Sequence, residues 1–407
     1  PPPTSGEGTR GCLPKILPKN DALEFRARPT DRRCGRPTEV PLLEAIARKP
    51  LHPAYAELRA RLDEFPLGAP PHESLDGILT ELFTPEEAAV AAKLPQLPAP
   101  LPEIAAGLGL APAAVQAILE RLADRGVVFA FVREGGTFYS LLPLVPGIFE
   151  MQFMKAENTP RTMRLAQLFN TYYYAGWGQS LSKTTTPFPR VVVVERQIPT
   201  GVEVLPYEKV SELVRSARSV ALANCYCRHE ANLLGHGCGA PLDVCMVFGR
   251  FAQFTAERGF ARLVSAEEAI AALDRAEEAG LVHCTDNCQE RINFICNCCG
   301  CCCGILRGIT HLKRPTAVAT SAYIVDFDQD ECADCDACLD RCQVKAIVRT
   351  DEGVRVDLDR CIGCGVCNLV CPTDALKMKK RPTPPVVPKN WRELQMTMMT
   401  EKAARQG

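Results

Sequence analysis

Cysteine placement constrains this chain more than any other feature, because 22 of its 407 residues are cysteines and most stand in tight groups. Two copies of the pattern C-x2-C-x2-C-x3-C lie 29 residues apart near the C-terminus. Zinc prefers two C-x2-4-C pairs around one ion, whereas triplets with a trailing cysteine are typical of paired [4Fe-4S] clusters. The spacing therefore predicts two such clusters within residues 322–380.

Each triplet is expected to hold one cluster, and its trailing cysteine is expected to reach the other cluster from the far side of a short helix. The first cluster is assigned to Cys332, Cys335, Cys338 and Cys371. The second is assigned to Cys361, Cys364, Cys367 and Cys342. The segment resembles the two-cluster bacterial ferredoxins over about 55 residues, and the resemblance implies an electron wire. One departure is Gln343, where that family usually has proline after the fourth cysteine.

Twelve further cysteines lie between residues 225 and 303, six of them within eight residues. Buried thiols pack as small apolar groups, but not at this density, so one or two further iron–sulfur clusters are expected here. The candidate ligands are Cys225, Cys227, Cys238, Cys245, Cys296, Cys298, Cys299, Cys301, Cys302 and Cys303. Their grouping stays open: the first four form one set and the 296–303 run another, or the C-x-C pair shares a cluster with that run. A non-cubane cluster is a further alternative.

Several residues near these cysteines have a plainer interpretation. Cys284 and Cys288 follow a predicted helix at loop-like spacing, so packing is the favoured interpretation for them and cluster ligation is the alternative. His229 and His236 are expected to make hydrogen bonds rather than to bind iron. Outside this region, the isolated Cys12 and Cys34 are expected to be non-ligands, because a cubane needs four thiolates held together.

The pattern of helix caps, turns and apolar positions predicts an α+β, multidomain protein. A helix over 112–125, ended by Gly126, and a hairpin around Gly135-Gly136 indicate a winged-helix-like unit. The predicted order is an irregular arm at 1–37, a helical region at 38–98, a winged-helix-like domain at 99–145, a cysteine-rich α/β middle domain at 146–315, the ferredoxin-like domain at 322–380, and a linker with a C-terminal helix at 381–407.

Charge and hydropathy limit the surroundings of the chain. The formal net charge is -1, which argues against a protein that coats nucleic acid. No run of 18 apolar residues and no secretory signal is found, so we expect a cytoplasmic protein without a membrane span. Residues 326–375 hold twelve acidic and five basic residues, a surface that favours docking to a basic redox partner.

A winged helix beside clusters suggests a second function, a redox-sensing transcriptional regulator. Residues 100–142 carry three arginines, no lysine and four acidic residues, however, and DNA binding depends on neutralising phosphates. DNA binding is therefore not expected, and the winged helix is interpreted as a docking module. A third alternative is a reductase whose middle-domain cluster binds substrate directly.

The order of the winged helix, the C-x-C-R segment, the run from Asn297 to Gly304 and the terminal ferredoxin resembles a family of uncharacterised 4Fe-4S binding proteins of anaerobic bacteria. The resemblance covers residues 40–380 and implies cluster binding without a settled activity. We therefore expect an electron-transfer subunit rather than a stand-alone enzyme. It would relay single electrons to or from a partner redox enzyme within a complex.

Overall fold

The computed structural model of the protein describes residues 51–181, 183–201 and 203–405. The expected arm at 1–37, with Cys12 and Cys34, and the first part of the helical region lie outside the described residues. The described chain begins with three helices, α1 (Pro53–Asp63), α2 (Glu73–Leu82) and α3 (Pro85–Ala92). Helix α3 starts with a capping box, in which Thr84 Oγ1 accepts from the Glu87 amide at 3.2 Å and Glu87 Oε2 accepts from the Thr84 amide at 3.0 Å.

A small sheet with two helices follows. Strand β1 (Ala99–Pro100) leads into α4 (Leu101–Leu108) and α5 (Pro112–Asp124), and β2 (Val128–Arg133) and β3 (Gly136–Leu141) form a hairpin. The sheet order is β1-β3-β2. The two helices meet at 108°. These elements lie where the winged helix is predicted, and that identity stays a prediction.

An aromatic helical layer connects this unit to the middle domain. It comprises α6 (Phe149–Met154), α7 (Pro160–Ala175) and α8 (Trp177–Ser180). Tyr172 donates a hydrogen bond to the Pro70 carbonyl at 2.7 Å, and Tyr173 donates to the Gly304 carbonyl at 2.9 Å. The layer therefore connects the N-terminal helices with the segment that follows the cysteine-rich run 296–303.

A six-stranded sheet forms the middle domain, in the order β4-β8-β9-β6-β5-β7. Its strands are β4 (Pro189–Val192), β5 (Val220–Ala223), β6 (Cys245–Phe248), β7 (Ala261–Val264), β8 (Val282–Asp286) and β9 (Phe294–Cys298). Every pairing between these strands is antiparallel. The α/β character expected for this domain is therefore wrong, because α/β folds are built on parallel strands, and the domain is α+β.

The two faces of this sheet have different neighbours, because successive side chains point to opposite sides. On β6, Met246 and Phe248 pack in one apolar cluster with α9 (Val210–Arg215) and α12 (Ala266–Glu278). Cys245 and Val247 belong to the main core on the other face. The other helices of the domain are α10 (Tyr226–Leu233), α11 (Gly249–Glu257) and α13 (Gly304–Thr310).

The C-terminal domain has two short antiparallel pairs and one helix. Strand β10 (Tyr323–Phe327) pairs with β13 (Leu376–Lys380), and β11 (Ile347–Thr350) pairs with β12 (Gly353–Val356), around α14 (Ala337–Arg341). The last helix, α15 (Trp391–Ala404), returns to the N-terminal region, where Lys402 donates to the Phe65 carbonyl at 2.8 Å. Within the described residues, no single helix is long and apolar enough to cross a membrane, although the bent pair α4–α5 passes that test by length and composition.

Candidate metal centres

The four cysteines assigned to the first C-terminal cluster lie together. Cys332, Cys335, Cys338 and Cys371 line one small cavity of about 20 Å³. In the other set, burial raises the pKa of the Cys367 thiol well above its usual value, and the neighbouring thiols of Cys364, Cys342 and Cys361 raise it further. That these sets bind clusters stays a prediction.

Left-handed backbone turns let each motif curve around its cavity. Gly363 and Gly365 have φ values of 71° and 79°, and the corresponding Asp334 and Asp336 have values of 52° and 59°. Aspartate is among the few residues besides glycine that visit this region. Arg349 forms ion pairs with both aspartates, at 2.8 Å to Asp334, which stabilises the first turn.

Seven cysteines of the middle domain line one cavity of about 50 Å³, and we call this group the seven-thiol ring. Its members are Cys225, Cys227, Cys245, Cys284, Cys296, Cys298 and Cys303. Neighbouring thiols of the group shift one another's pKa, from Cys225 through Cys245 and onward. The hydrogen bond to Cys245, with burial, raises the pKa of the Cys225 thiol well above its usual value. Metal binding here would therefore release protons.

Sheet register and a helix start bring the ring together. Cys284 on β8 lies directly opposite Cys296 on β9, a pairing that brings side chains within contact. Cys225 and Cys227 lie at the start of α10. Phe149, Trp177 and Phe188 line the same cavity and give it an apolar wall.

Polar side chains around the ring suit a buried anionic group. Tyr226 Oη lies 3.1 Å from Cys296 Sγ. Arg228 is 1% exposed and donates to the Asn297 carbonyl at 2.8 Å. Its Nε and Nη2 have no nitrogen or oxygen partner among the described residues, and the Cys299 thiol lies beside them. A buried guanidinium needs a negative neighbour, and metal-bound thiolates would supply it.

A second cysteine group, here called the quartet, lies next to the ring. It consists of Cys238, Cys299, Cys301 and Cys302, whose sulfur atoms all lie within 4.8 Å of one another. The distance is 3.8 Å from Cys238 to Cys299 and 3.7 Å from Cys301 to Cys302. Cys238 thus joins part of the 296–303 run, whereas Cys225, Cys227 and Cys245 join the rest of it. One expected grouping placed Cys238 with Cys225, Cys227 and Cys245, and the structure does not show that grouping.

The ferredoxin-like domain contacts the quartet's loop and lies within electrostatic reach of the ring. The Gly300 amide, within the quartet's loop, donates to Gln343 Oε1 at 2.9 Å, and Gln343 Nε2 donates to the Gly280 carbonyl at 2.8 Å. A Cβ at Gly300 would lie 1.9 Å from the Gln343 carbonyl oxygen. Burial raises the pKa of Cys364, and the nearby thiols of Cys342, Cys361 and Cys284 raise it further. The ring member Cys284 is therefore a neighbour of the second repeated motif.

Cys288 and His229 make ordinary hydrogen bonds away from the ring. Cys288 is fully buried in the apolar cluster on the far face of the sheet, and its thiol donates to the Glu290 carbonyl at 3.4 Å. His229 Nε2 hydrogen bonds to the Glu157 carbonyl at 3.0 Å. His236 Nε2 is buried without a hydrogen-bond partner in the described part of the chain. None of these three residues lines the ring cavity.

A larger cavity of about 930 Å³, here called the chamber, opens beside the ring. Cys245, Cys296, Tyr226 and Glu150 line both cavities. Burial raises the pKa of Glu150 to about 7, although the Gly147 amide donates to its carboxylate at 2.5 Å. The volume lies in the range of small-molecule sites.

Sequence reasoning missed the parts of these sites that depend on tertiary structure. No sequence motif marked Arg228, Tyr226 or Glu150, although Arg228 follows the C-x-C pair directly. Gln343 was visible as a departure from the usual proline, and that departure was the available signal for its contact with the middle domain.

Comparison with known proteins covers the C-terminal region. Residues 354–377 match the family model described as a 4Fe-4S binding domain. Pyruvate synthase subunit PorD of Methanothermobacter marburgensis is 42% identical over 54 residues, which are 13% of this chain and 63% of that protein. An uncharacterized ferredoxin of Methanocaldococcus jannaschii is 32% identical over 89 residues, 22% of this chain and 53% of that protein.

A third relative is the archaeal-type glutamate synthase (NADPH) of Dehalococcoides mccartyi, 33% identical over 64 residues, which are 15% of this chain and 13% of that protein. The matched stretches span less than two thirds of the length of each of these relatives. No solved structure matches the chain. The matches and the two repeated cysteine motifs support [4Fe-4S] clusters, so the chain is an iron–sulfur protein with a ferredoxin-type domain near its C-terminus and a role in electron transfer.

Proposed function

We propose that this protein relays single electrons between a partner redox protein and its own middle domain. The observation that carries the proposal is the contact between the two cysteine-rich regions. The Cys284 thiol of the seven-thiol ring lies within electrostatic reach of Cys364 in the second repeated motif, and Gln343 makes two hydrogen bonds from the ferredoxin-like domain to the middle domain. A relay needs such continuity, because electrons pass only between centres that lie close together.

The repeated motifs are assigned to two [4Fe-4S] clusters, in the two sets of four cysteines described above. The seven-thiol ring is assigned to one further iron–sulfur cluster, because it offers more than the four thiolates that a cubane requires. Bound in these places, iron–sulfur clusters would accept and donate single electrons.

The chain's own residues would tune the ring centre. Arg228 places a buried positive charge beside Cys225, Cys245 and Cys299, which stabilises thiolates over thiols. Tyr226 supplies a hydroxyl to Cys296 at 3.1 Å. Hydrogen bonds to cluster sulfurs and the exclusion of solvent are two of the factors that set the potential of such a centre.

The winged-helix-like unit is proposed to dock the protein rather than to bind DNA. Arg258, just after α11, pairs with Glu120 of α5 at 2.6 Å and also with Asp124. Phe129 of β2 packs against Phe254 of α11 with ring centroids 5.2 Å apart. The C-terminal half of α5 is thus held against the middle domain, and the unit lacks the basic surface that phosphate binding needs.

The partner is proposed to be a soluble redox protein with a basic face, within a cytoplasmic complex. The acidic residues of 326–375 would steer such a partner to the ferredoxin-like domain. One relative is named as a subunit of pyruvate synthase, and another is named as a glutamate synthase. Membership of a comparable assembly is the simplest proposal for this chain.

The first test is the substitution Cys335→Ser, at an exposed ligand position of the first motif. We expect loss of one C-terminal cluster and slower electron transfer with a basic redox partner such as cytochrome c. The measurements are iron content and the rate of cytochrome c reduction by the dithionite-reduced protein. Cys288→Ser is the matched control, since that thiol lies outside every proposed centre. Unchanged iron and an unchanged rate in Cys335→Ser would contradict the assignment.

The chamber favours a second candidate function, a reductase that acts on a small molecule at the ring. Its inner end reaches Cys245 and Cys296, so a molecule bound there would contact the ring centre directly. The two functions differ in whether the ring centre has an open metal position. Cyanide, a ligand of open iron sites, is the probe: a changed EPR signal of the ring centre supports the reductase, and an unchanged signal supports the relay alone.

A further inference from the structure

We propose that the quartet binds one divalent metal ion, zinc or ferrous iron, and not an iron–sulfur cluster. The quartet was expected from the sequence to contribute to a cluster, together with the other middle-domain cysteines. Its geometry indicates a different kind of site. The proposal stands independently of the electron relay, because it rests on the sulfur positions of these four residues alone.

The sulfur–sulfur distances match a tetrahedron around a single ion. Zinc–thiolate bonds are about 2.3 Å long, so the edges of the sulfur tetrahedron are about 3.8 Å. The distance from Cys238 to Cys299 is 3.8 Å and that from Cys301 to Cys302 is 3.7 Å. All four sulfurs lie within 4.8 Å of one another.

A cubane would not fit between these sulfurs. Its four thiolates stand about 6 Å apart, because each lies a metal–sulfur bond of about 2.3 Å beyond its own iron. In the part of the chain that the structure describes, the quartet is the one set of three or more potential ligands this compact. The ferredoxin-like sets and the seven-thiol ring, whose cysteines the structure describes, contain no group of three or more ligand atoms within 4.8 Å of one another.

The chain supplies the quartet from two segments. Cys238 lies in the loop between α10 and β6, and the other three lie in the turn between β9 and α13. A metal ion would therefore join two loops that are 61 residues apart in sequence. The joined turn includes Gly300, whose amide donates to Gln343 of the ferredoxin-like domain. The site would hold this turn in the position that the interdomain contact needs.

Charge around the quartet is also suitable. Four thiolates around one divalent ion carry a net charge of about −2, which a buried site must balance. Arg228, 1% exposed, lies beside Cys299 and supplies one positive charge. Cys301 is exposed to solvent, so an ion has a path into the site.

The test uses the full chain, purified anaerobically, with zinc, iron and acid-labile sulfide measured per chain. Cys301→Ser changes an exposed ligand. We expect the loss of one zinc or one iron per chain with no loss of sulfide, because a mononuclear site contains no inorganic sulfide. Zinc loss and iron loss distinguish the two ions. Loss of about four iron and four sulfide would overturn the proposal in favour of a cubane, and no metal loss would overturn it in favour of free or oxidised thiols.

Two further variants test the coordination of the ion and serve as a control. Cys301→His offers a Cys3His set, which is common in structural zinc sites, so a single ion should be retained. Cobalt substituted into that variant and into the unmodified chain should give the visible absorption of tetrahedral cobalt–thiolate. Cys288→Ser is the control and should leave all metal contents unchanged. If the relay proposal fails but the quartet ion is found, the single-ion site stands alone.

Discussion

Replacing Gln343 with alanine is the perturbation that most directly tests how the two cysteine-rich regions are joined. The side chain accepts from the Gly300 amide at 2.9 Å and donates to the Gly280 carbonyl at 2.8 Å. Alanine removes both hydrogen bonds and leaves the rest of the repeated motif in place. The ferredoxin-like domain and the quartet's turn would then be held together less tightly.

The expected magnitude follows from those two bonds. Gln343 is half-buried, so each hydrogen bond contributes about 1 kcal/mol net, and the pair about 2 kcal/mol. A factor of ten corresponds to about 1.4 kcal/mol, so local opening of the interface should become about thirtyfold more frequent. Amides that exchange through this opening should exchange faster by the same factor.

Hydrogen exchange measured by mass spectrometry on the anaerobic protein provides the assay. The peptide that covers residues 296–310 reports on the Gly300 amide and its neighbours. Gln289→Ala is the matched control, because its side chain donates one similar hydrogen bond, to the Val387 carbonyl at 2.8 Å, away from this interface. Equal exchange of this peptide in Gln343→Ala and in the unmodified chain would refute the reasoning.

Three further changes test other parts of the structure. Gly300→Ala places a Cβ 1.9 Å from the Gln343 carbonyl oxygen, so it should lower the free energy of unfolding by about 1–3 kcal/mol in anaerobic denaturation. Gly107 lies in a helix with open space around it, so Gly107→Ala should be neutral or slightly stabilising. Burial raises the pKa of Glu150 from 4.5 to about 7, so the folded state favours the protonated acid and the unfolding free energy should fall as the pH rises from about 4.5 through 7. Glu150→Gln should remove up to about 3 kcal/mol of that fall. An equal dependence of the unfolding free energy on pH in both proteins would contradict this expectation. Cys284→Ser should change the EPR signal of the ring centre and spare the C-terminal clusters, and an unchanged spectrum would make Cys284 a packing residue.

Three of the four ligands predicted for each C-terminal site are close in sequence, so the motif could be recognised from spacing. Within each motif a triplet spans seven residues, so local turns at Asp334 or Gly363 decide the geometry. The trailing cysteine follows its own triplet after α14 or a single 3-10 turn, but it is assigned to the other cluster. The assignment of Cys342 and Cys371 to opposite sets follows the pattern of the two-cluster ferredoxins, and it stays a prediction.

The middle-domain sites were not predictable in detail, because strand register assembles them. Cys284 meets Cys296 through the pairing of β8 with β9, and Cys245 enters from the neighbouring strand β6. The apolar strands suggested an α/β sheet, yet the pairing is antiparallel, and only the pairing decides which cysteines share a face. Adjacent thiols such as Cys298 and Cys299 then fall into different groups, as side chains that alternate along a strand end do.

The measurement that tests the central claim most directly is iron and acid-labile sulfide per chain on the anaerobic protein, with EPR after stepwise reduction. Two C-terminal clusters and one cluster in the seven-thiol ring predict about 12 iron atoms, at four per cubane, and magnetic interaction between reduced centres. About 8 iron atoms, with no signal that responds to Cys284→Ser, would mean that the ring holds thiols alone. The relay into the middle domain would then be contradicted.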